Sequence, residues 1–209
     1  MRFQLILSDV DSTLIEQEVI DLLGNVAGSG EKVSEITARA MAGEIDFRSA
    51  LARRVELLAG LPISIFEEVT SQITLSPGAH DLRDFCRLHG ILFGAVTGGF
   101  LQILSRIEFF KDLDYIAGND LEIENGVLSG KVLAPIIDRD AKAEHLQQFA
   151  HKFGVDMEKT VAIGDGANDL LMIQRAGLGV AYKAKPILRS AANLSIENDL
   201  KELIEVLKN

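Results

Sequence analysis

The chain has 209 residues, 47% of them hydrophobic, with 21 basic against 31 acidic side chains and a formal charge of −10. That size allows one domain or a core with a smaller inserted unit, and the acidic balance argues against a nucleic-acid or anionic-membrane partner. The single cysteine, Cys86, excludes an intramolecular disulfide, and no apolar run approaches a membrane span or a signal-peptide core, so a cytoplasmic protein is expected.

The first element is a buried strand over Phe3–Leu7, which runs into Ser8-Asp9-Val10-Asp11-Ser12-Thr13. Two ionised carboxylates about 4 Å apart repel by roughly 4 kcal/mol at an effective dielectric near 20, so Asp9 and Asp11 call for a nearby cation. From about Glu16 to Thr74 the periodicity is helical throughout, which predicts a small helical unit inserted after the first strand. Phe47, Leu51, Val55 and Leu58 form one of its apolar stripes; Arg54 lands on that stripe, whereas Arg53 falls on another face. An arginine there either snorkels or pairs with a buried anion, and a bidentate pair suits a carboxylate. Glu18 flanks the stripe Ile15, Val19, Leu22 and Leu23, where a solvated rim position explains it almost as well as a ligand contact. Met41 and Phe47 are candidates for an apolar pocket wall or for core packing.

A second strand over Ile91–Val96 is followed by Thr97-Gly98-Gly99, expected to open a helix over Phe100–Phe109. Free N–H groups at such a start favour a phosphate, and glycine lets the backbone approach it. Asn125-Gly126 predicts a β-hairpin within Leu121–Val132. The next helix, Asp140–Phe153, carries Lys142 in its first turn, where a cation opposes the helix dipole. Such a lysine is either solvated or placed to face a phosphate. A third strand, Thr160–Ile163, runs into Gly164-Asp165-Gly166-Ala167-Asn168-Asp169 and a helix over Asn168–Ala176. A weaker strand at Leu178–Ala181 and helices at Pro186–Ala192 and Leu200–Leu207 complete the chain. The four histidines, His80, His89, His145 and His151, show no metal-ligand spacing.

Alternating strands and helices imply a three-layer, Rossmann-like α/β fold with a parallel sheet and right-handed crossovers. Ligands bind beyond the carboxyl ends of such strands, where Asp9, Asp11, Thr97-Gly98-Gly99 and Gly164–Asp169 converge. Hard oxygen ligands favour Mg²⁺, with Asp9 and Asp165 as the candidate ligands.

The ordered set Asp9-x-Asp11-x-Thr13, Thr97-Gly98-Gly99-Phe100, Lys142 and Gly164-Asp165-Gly166-Ala167-Asn168-Asp169 resembles the haloacid dehalogenase superfamily. The stretches "DVDSTLIEQEVID", "AMAGEIDFRSALARRVELL" and "VAIGDGANDLLM" resemble its phosphoserine phosphatases, in order over nearly the whole chain. The resemblance implies a core of residues 1–15 and 75–209 with a helical cap over 16–74. It implies Mg²⁺-dependent hydrolysis of O-phospho-L-serine, the last step of serine biosynthesis, through an aspartyl phosphate on Asp9 with Asp11 as general acid and base. Carried over residue by residue, Mg²⁺ would lie between Asp9, the Asp11 backbone carbonyl and Asp165, supported by Asp169. Thr97, Gly98 and Lys142 would hold the phosphoryl group, and Asn168 would contact substrate. Glu18 would meet the substrate amino group and Arg54 its carboxylate. The family more often carries Ser at the position of Thr97.

The neighbouring readings are a phosphatase or phosphotransferase acting on another small phosphomonoester and, from a different class, a receiver-type phosphoacceptor. The small-molecule partner is a phosphomonoester, and a monomer or homodimer is expected. Because the chain begins directly at the first strand, no upstream regulatory domain is expected.

Overall fold

The structure, a computed structural model, describes residues 2–41 and 44–208. Among these, seven strands form one sheet: β1 (Leu5–Ser8), β2 (Leu92–Phe100), β3 (Tyr115–Glu124), β4 (Val127–Leu133), β5 (Thr160–Gly164), β6 (Leu178–Tyr182) and β7 (Leu194–Ile196). Their order is β4-β3-β2-β1-β5-β6-β7, parallel except for the β3–β4 hairpin. The chain leaves β1 on one side to build β2 to β4 and on the other to build β5 to β7. The carboxyl end of β1 is therefore the switch point of the sheet, the usual position of a ligand crevice.

All four residues of β1 are buried, as its uninterrupted apolar run implies for a strand covered on both faces. Ile6 packs into one hydrophobic cluster and Leu5 and Leu7 into another, one on each side of the sheet. Leu82 and Cys86 of helix α5 (Ala79–His89) join the cluster with Ile6. The opposite face is covered by Leu146 and Phe149 of α8 (Arg139–Phe153) and by Met172 and Ile173 of α9 (Leu170–Arg175).

Between β1 and α5 the described residues form α1 (Val19–Val26), α2 (Gly30–Met41), α3 (Phe47–Glu56) and α4 (Ile65–Thr70). The two segments that join this unit to the sheet pair with each other. Glu16 donates its N–H to the Thr74 carbonyl (3.0 Å), Ser76 donates to Leu14 (2.9 Å), and Ile15 bridges Leu75. The unit also docks on the hairpin, where Gly60 N–H bonds the Leu128 carbonyl and Leu128 N–H bonds Leu61, at 2.8 and 2.9 Å. Its Val19, Leu23, Leu51, Val55 and Leu58 belong to the same hydrophobic cluster as the sheet face that carries Ile6.

Several elements depart from the expectation, among them β7, which was not expected. Thr97-Gly98-Gly99 does not open a helix; β2 continues through it to Phe100, and two short helices, α6 (Leu101–Leu104) and α7 (Glu108–Lys111), replace the single predicted one. The register of β2 against β3 shifts between Val96 and Phe100, so this stretch is a bulged strand end, which disguises its strand character. The hairpin is longer than predicted because the first residues of β3 pair in parallel with β2. Two further helices also start differently. A short 3₁₀ turn, Ala167–Asp169, precedes α9, and α8 is capped by Asp138 rather than beginning at Asp140.

Gly130 of β4 adopts φ +87°, and a β-carbon there would stand 2.9 Å from Ala59 Cβ, where the helical unit meets the hairpin. Gly130→Ala should therefore lower unfolding stability by about 1–3 kcal/mol. Urea denaturation measures this, and an unchanged midpoint would contradict the close packing of the two.

Candidate active site

The site is built from four chain segments that end at the same edge of the sheet. Asp9 leaves β1 with its N–H bonded to the Ile163 carbonyl of β5 (2.9 Å), which fixes the strand end. Its Oδ1 lies 2.7 Å from Lys142 Nζ, and the same ammonium lies 2.7 Å from Asp169 Oδ1. Asp169 in turn accepts the N–H groups of Asp165 and Gly166 through Oδ2, both at 3.1 Å, closing the turn after β5. Lys142 is buried, not solvated. It reaches the site from the end of the first turn of α8, whose cap Asp138 accepts the Ala141 N–H (3.1 Å).

Asp9, Asp165 and Asp169 can each direct an oxygen to a common point, with the three ligand atoms within 4.8 Å of one another. When all are ionised, the three carboxylates outnumber the one buried ammonium, and the exposed Lys185 adds a further positive charge that acts on Asp165. Burial, then the charge of Asp169, holds the Asp9 carboxyl well above the usual range, because Lys142 compensates only part of the cluster. Burial and Asp169 push Asp165 up to about 7. Lys142 is held charged, above an ordinary lysine: its burial favours the neutral amine, but Asp169 and Asp9 outweigh that. Hard oxygens, close spacing and excess negative charge fit a divalent cation.

Asp11 stands apart from this cluster. Its Oδ1 accepts the Val19 N–H at 2.8 Å and its Oδ2 accepts the Thr97 hydroxyl at 2.6 Å. Burial, then the charge of Glu18, pushes Asp11 up to about 6 despite these two bonds. Thr97 is fully buried, and its hydroxyl also accepts the Gly99 N–H at 2.7 Å. A β-carbon at Gly99 would stand 2.6 Å from Asp11 Oδ2, so glycine is what permits this approach.

These groups border a cleft of about 1020 Å³ between the sheet edge and the helical unit. Asp9, Asp11, Gly98, Lys142, Asp165 and Asn168 line its floor, while Glu18, Phe47 and Arg54 line it from the helical unit. Arg54 is partly buried, with Nε donating to the Ala50 carbonyl and Nη1 to Thr37 Oγ1, each at 3.3 Å. Burial lowers its pKa below that of a free guanidinium, opposed by the charges of Asp21, Glu18 and Asp11. Glu18 is exposed to the cleft and accepts the Ser12 hydroxyl at 2.7 Å. Phe47 lies over Gly98, with Cζ 3.1 Å from where a β-carbon would stand. Met41 closes α2, and its side chain lies outside the described residues. Thr97 and Asp169 do not line the cleft; their side chains hold Asp11 and Lys142 from behind.

A family model described as haloacid dehalogenase-like hydrolase matches residues 6–174. The chain belongs to this family. Phosphoserine phosphatase of Streptococcus thermophilus is 48% identical over 204 residues, covering 97% of this chain and 95% of its own. A solved structure described as a phospho-aspartyl intermediate analogue of phosphoserine phosphatase superposes with a TM-score of 0.91 at 39% identity, covering 99% of both chains. A substrate-bound phosphoserine phosphatase structure gives 0.91 at 38% identity over 98% of both. These hydrolase relatives cover the helical unit as well as the sheet, which the receiver-type reading does not accommodate.

Sequence reasoning missed three residues at this edge. Asn119 of β3 bonds the Gly98 carbonyl and the Ile137 N–H, both at 2.8 Å. Arg48 of α3 reaches across the cleft mouth to Asp138 Oδ2, with Nη2 at 2.6 Å. Asp138, besides receiving Arg48, caps the helix that carries Lys142. The available signal was in β3, where Ala117, Asn119 and Leu121 alternate onto the buried face with a polar residue among apolar ones.

Lys142→Met should cost about 3–5 kcal/mol of stability at neutral pH without divalent cation, because it leaves buried carboxylates unpaired. Carboxyl groups with a raised folded-state pKa bind protons more tightly in the folded state, so lowering the pH from 8 to 5 should shrink the deficit against wild type. Urea titrations at both pH values test this; an equal deficit, or one below about 1 kcal/mol, contradicts the charge argument.

Proposed function

We propose that the chain is an Mg²⁺-dependent phosphatase that hydrolyses O-phospho-L-serine to L-serine and phosphate. The observation that carries the reading is the separation of two carboxylates at one strand end. Asp9 is held against Lys142, whereas Asp11 is bonded to Thr97 and Val19 and pushed up to about 6. Asp9 is the nucleophile, with its Oδ1 anchored by the ammonium. Asp11 carries a proton readily near neutrality, which suits a group that protonates the leaving serine oxygen and then accepts a proton from water.

Mg²⁺ would be held by Asp9, Asp165 and the Asp11 backbone carbonyl, and when bound it supplies the positive charge that lets a carboxylate approach an anionic phosphoryl group. Gly98 N–H and Lys142 stabilise the phosphoryl oxygens as charge moves onto them, and Asn168 contacts the substrate at the cleft floor. Thr97 acts indirectly in this reading, since its hydroxyl is bonded to Asp11. Asp169 supports the metal site by fixing Lys142 and the turn after β5.

The unit over 16–74 acts as the cap that selects the substrate. Arg54 presents an anion site on the cleft wall for the substrate carboxylate, and Glu18 offers a carboxylate for its amino group. Phe47 encloses the floor at Gly98. The relatives named phosphoserine phosphatase support this assignment over a less selective phosphomonoesterase or a phosphotransferase.

Steady-state kinetics on phosphoserine, phosphoethanolamine and other small phosphomonoesters, with Mg²⁺ and with chelator, test the reading. Phosphoserine should be preferred and chelation should abolish turnover. Arg54→Ala should cost phosphoserine about 30-fold or more in kcat/KM, the equivalent of about 2 kcal/mol, while sparing phosphoethanolamine, which lacks the carboxylate. Equal losses on the two esters would contradict the role of Arg54, and a flat panel would contradict the substrate.

A further inference from the structure

The β2–β3 ladder is regular from Gly94↔Tyr115 to Val96↔Ala117 and resumes at Phe100↔Asn119. Thr97, Gly98 and Gly99 thus face only Gly118 on the neighbouring strand, and the bulge takes the Gly98 carbonyl out of ordinary strand pairing. The Asn119 side chain supplies the missing partner. Its Nδ2 donates to the Gly98 carbonyl at 2.8 Å, and its Oδ1 accepts the Ile137 N–H at 2.8 Å. Asn119 is 1% exposed, so each bond is made where water cannot substitute.

The two segments joined by this amide are the ones that carry the anion-facing groups. Gly98 belongs to the strand end that borders the cleft floor. Ile137 immediately precedes Asp138, which caps α8 and whose carbonyl accepts the Lys142 N–H at 2.9 Å. One carboxamide, with a donor on one side and an acceptor on the other, therefore spans from the Gly98 backbone to the root of the helix that delivers Lys142. Ionised aspartate would supply two acceptors and no donor, and an apolar side chain neither.

We propose that Asn119 is a positioning residue for phosphoryl binding, holding the Gly98-Gly99 backbone and the start of α8 at a fixed separation so that backbone N–H groups and Lys142 address the same anion. The proposal rests on the reading that the phosphoryl group lies between Gly98 and Lys142. It assigns Asn119 no contact with substrate. A shift of either segment would lower transition-state stabilisation for every phosphomonoester alike, unlike the substrate-selective effect of Arg54.

The test compares Asn119→Ala and Asn119→Asp with Leu203→Ala, a control that truncates a fully buried side chain outside the cleft lining. Thermal unfolding, kcat on the ester panel, and calorimetric binding of inorganic phosphate in the presence of Mg²⁺ are measured on each. Both Asn119 variants should lose about 10- to 100-fold in kcat on all esters and bind inorganic phosphate about 10-fold more weakly. Leu203→Ala should lose thermal stability while keeping kcat and phosphate affinity. Should Asn119→Ala fail to fold, the isosteric Asn119→Asp carries the test. Wild-type kcat and phosphate affinity in a folded Asn119 variant, or equal losses in Leu203→Ala, would overturn the proposal. If the wild-type protein hydrolyses no ester, the functional reading falls, and the phosphate-binding comparison still decides the role of Asn119.

Discussion

The site depends on an ammonium placed where the chain has buried more negative charge than that ammonium can balance. Lys142 lies 2.7 Å from both Asp9 and Asp169, and Asp165 completes the cluster. Burying charge is costly, and a single buried cation among three carboxylates, with the exposed Lys185 beside Asp165, offsets only part of that cost. The remainder is expressed as Asp9 and Asp165 holding their protons more tightly than free carboxyls, a sign of excess negative charge of the kind a divalent cation can offset.

Around that centre the fold divides the work by element. β1 and the turn after β5 supply the acids, α8 supplies the cation, and the end of β2 supplies the glycine backbone. Asp11 is held outside the cation cluster by Thr97 and Val19, so its proton affinity is set by burial and Glu18 and not by Lys142 alone. Val19 is the first residue of α1, so its N–H bond to Asp11 ties that carboxylate mechanically to the inserted helices. Arg48 and Asp138 make a second connection on the far side of the cleft, but Arg48 is largely exposed, and pairs open to solvent contribute only about 0–1 kcal/mol.

How much of this was legible in the sequence follows from how local each cause is. β1 was readable because a strand buried on both faces carries a continuous apolar run, here Leu5-Ile6-Leu7. The hairpin was readable because Asn125 and Gly126 both adopt positive φ, as their residue types favour. The acidic motifs were readable as a set because the strand ends of a parallel sheet converge. The end of β2 reads as a helix start because two successive glycines have little strand propensity; the ladder with β3 resumes only at Phe100↔Asn119, beyond them. The bond from the Thr97 hydroxyl to Asp11 joins residues 86 positions apart, so no local motif announces it. Asn119 and Arg48 act only through partners distant in sequence, so motif reading passes over them.

The proposed chemistry requires that Asp9, and no other carboxylate of the cluster, attacks phosphorus. The direct measurement is acid quenching during turnover of phosphoserine with Mg²⁺, followed by borohydride reduction and peptide mapping by mass spectrometry. The account predicts conversion of Asp9 alone to homoserine, with Asp11, Asp165 and Asp169 unmodified. Reduction at one of those three, or no reduced residue while turnover proceeds, would contradict it.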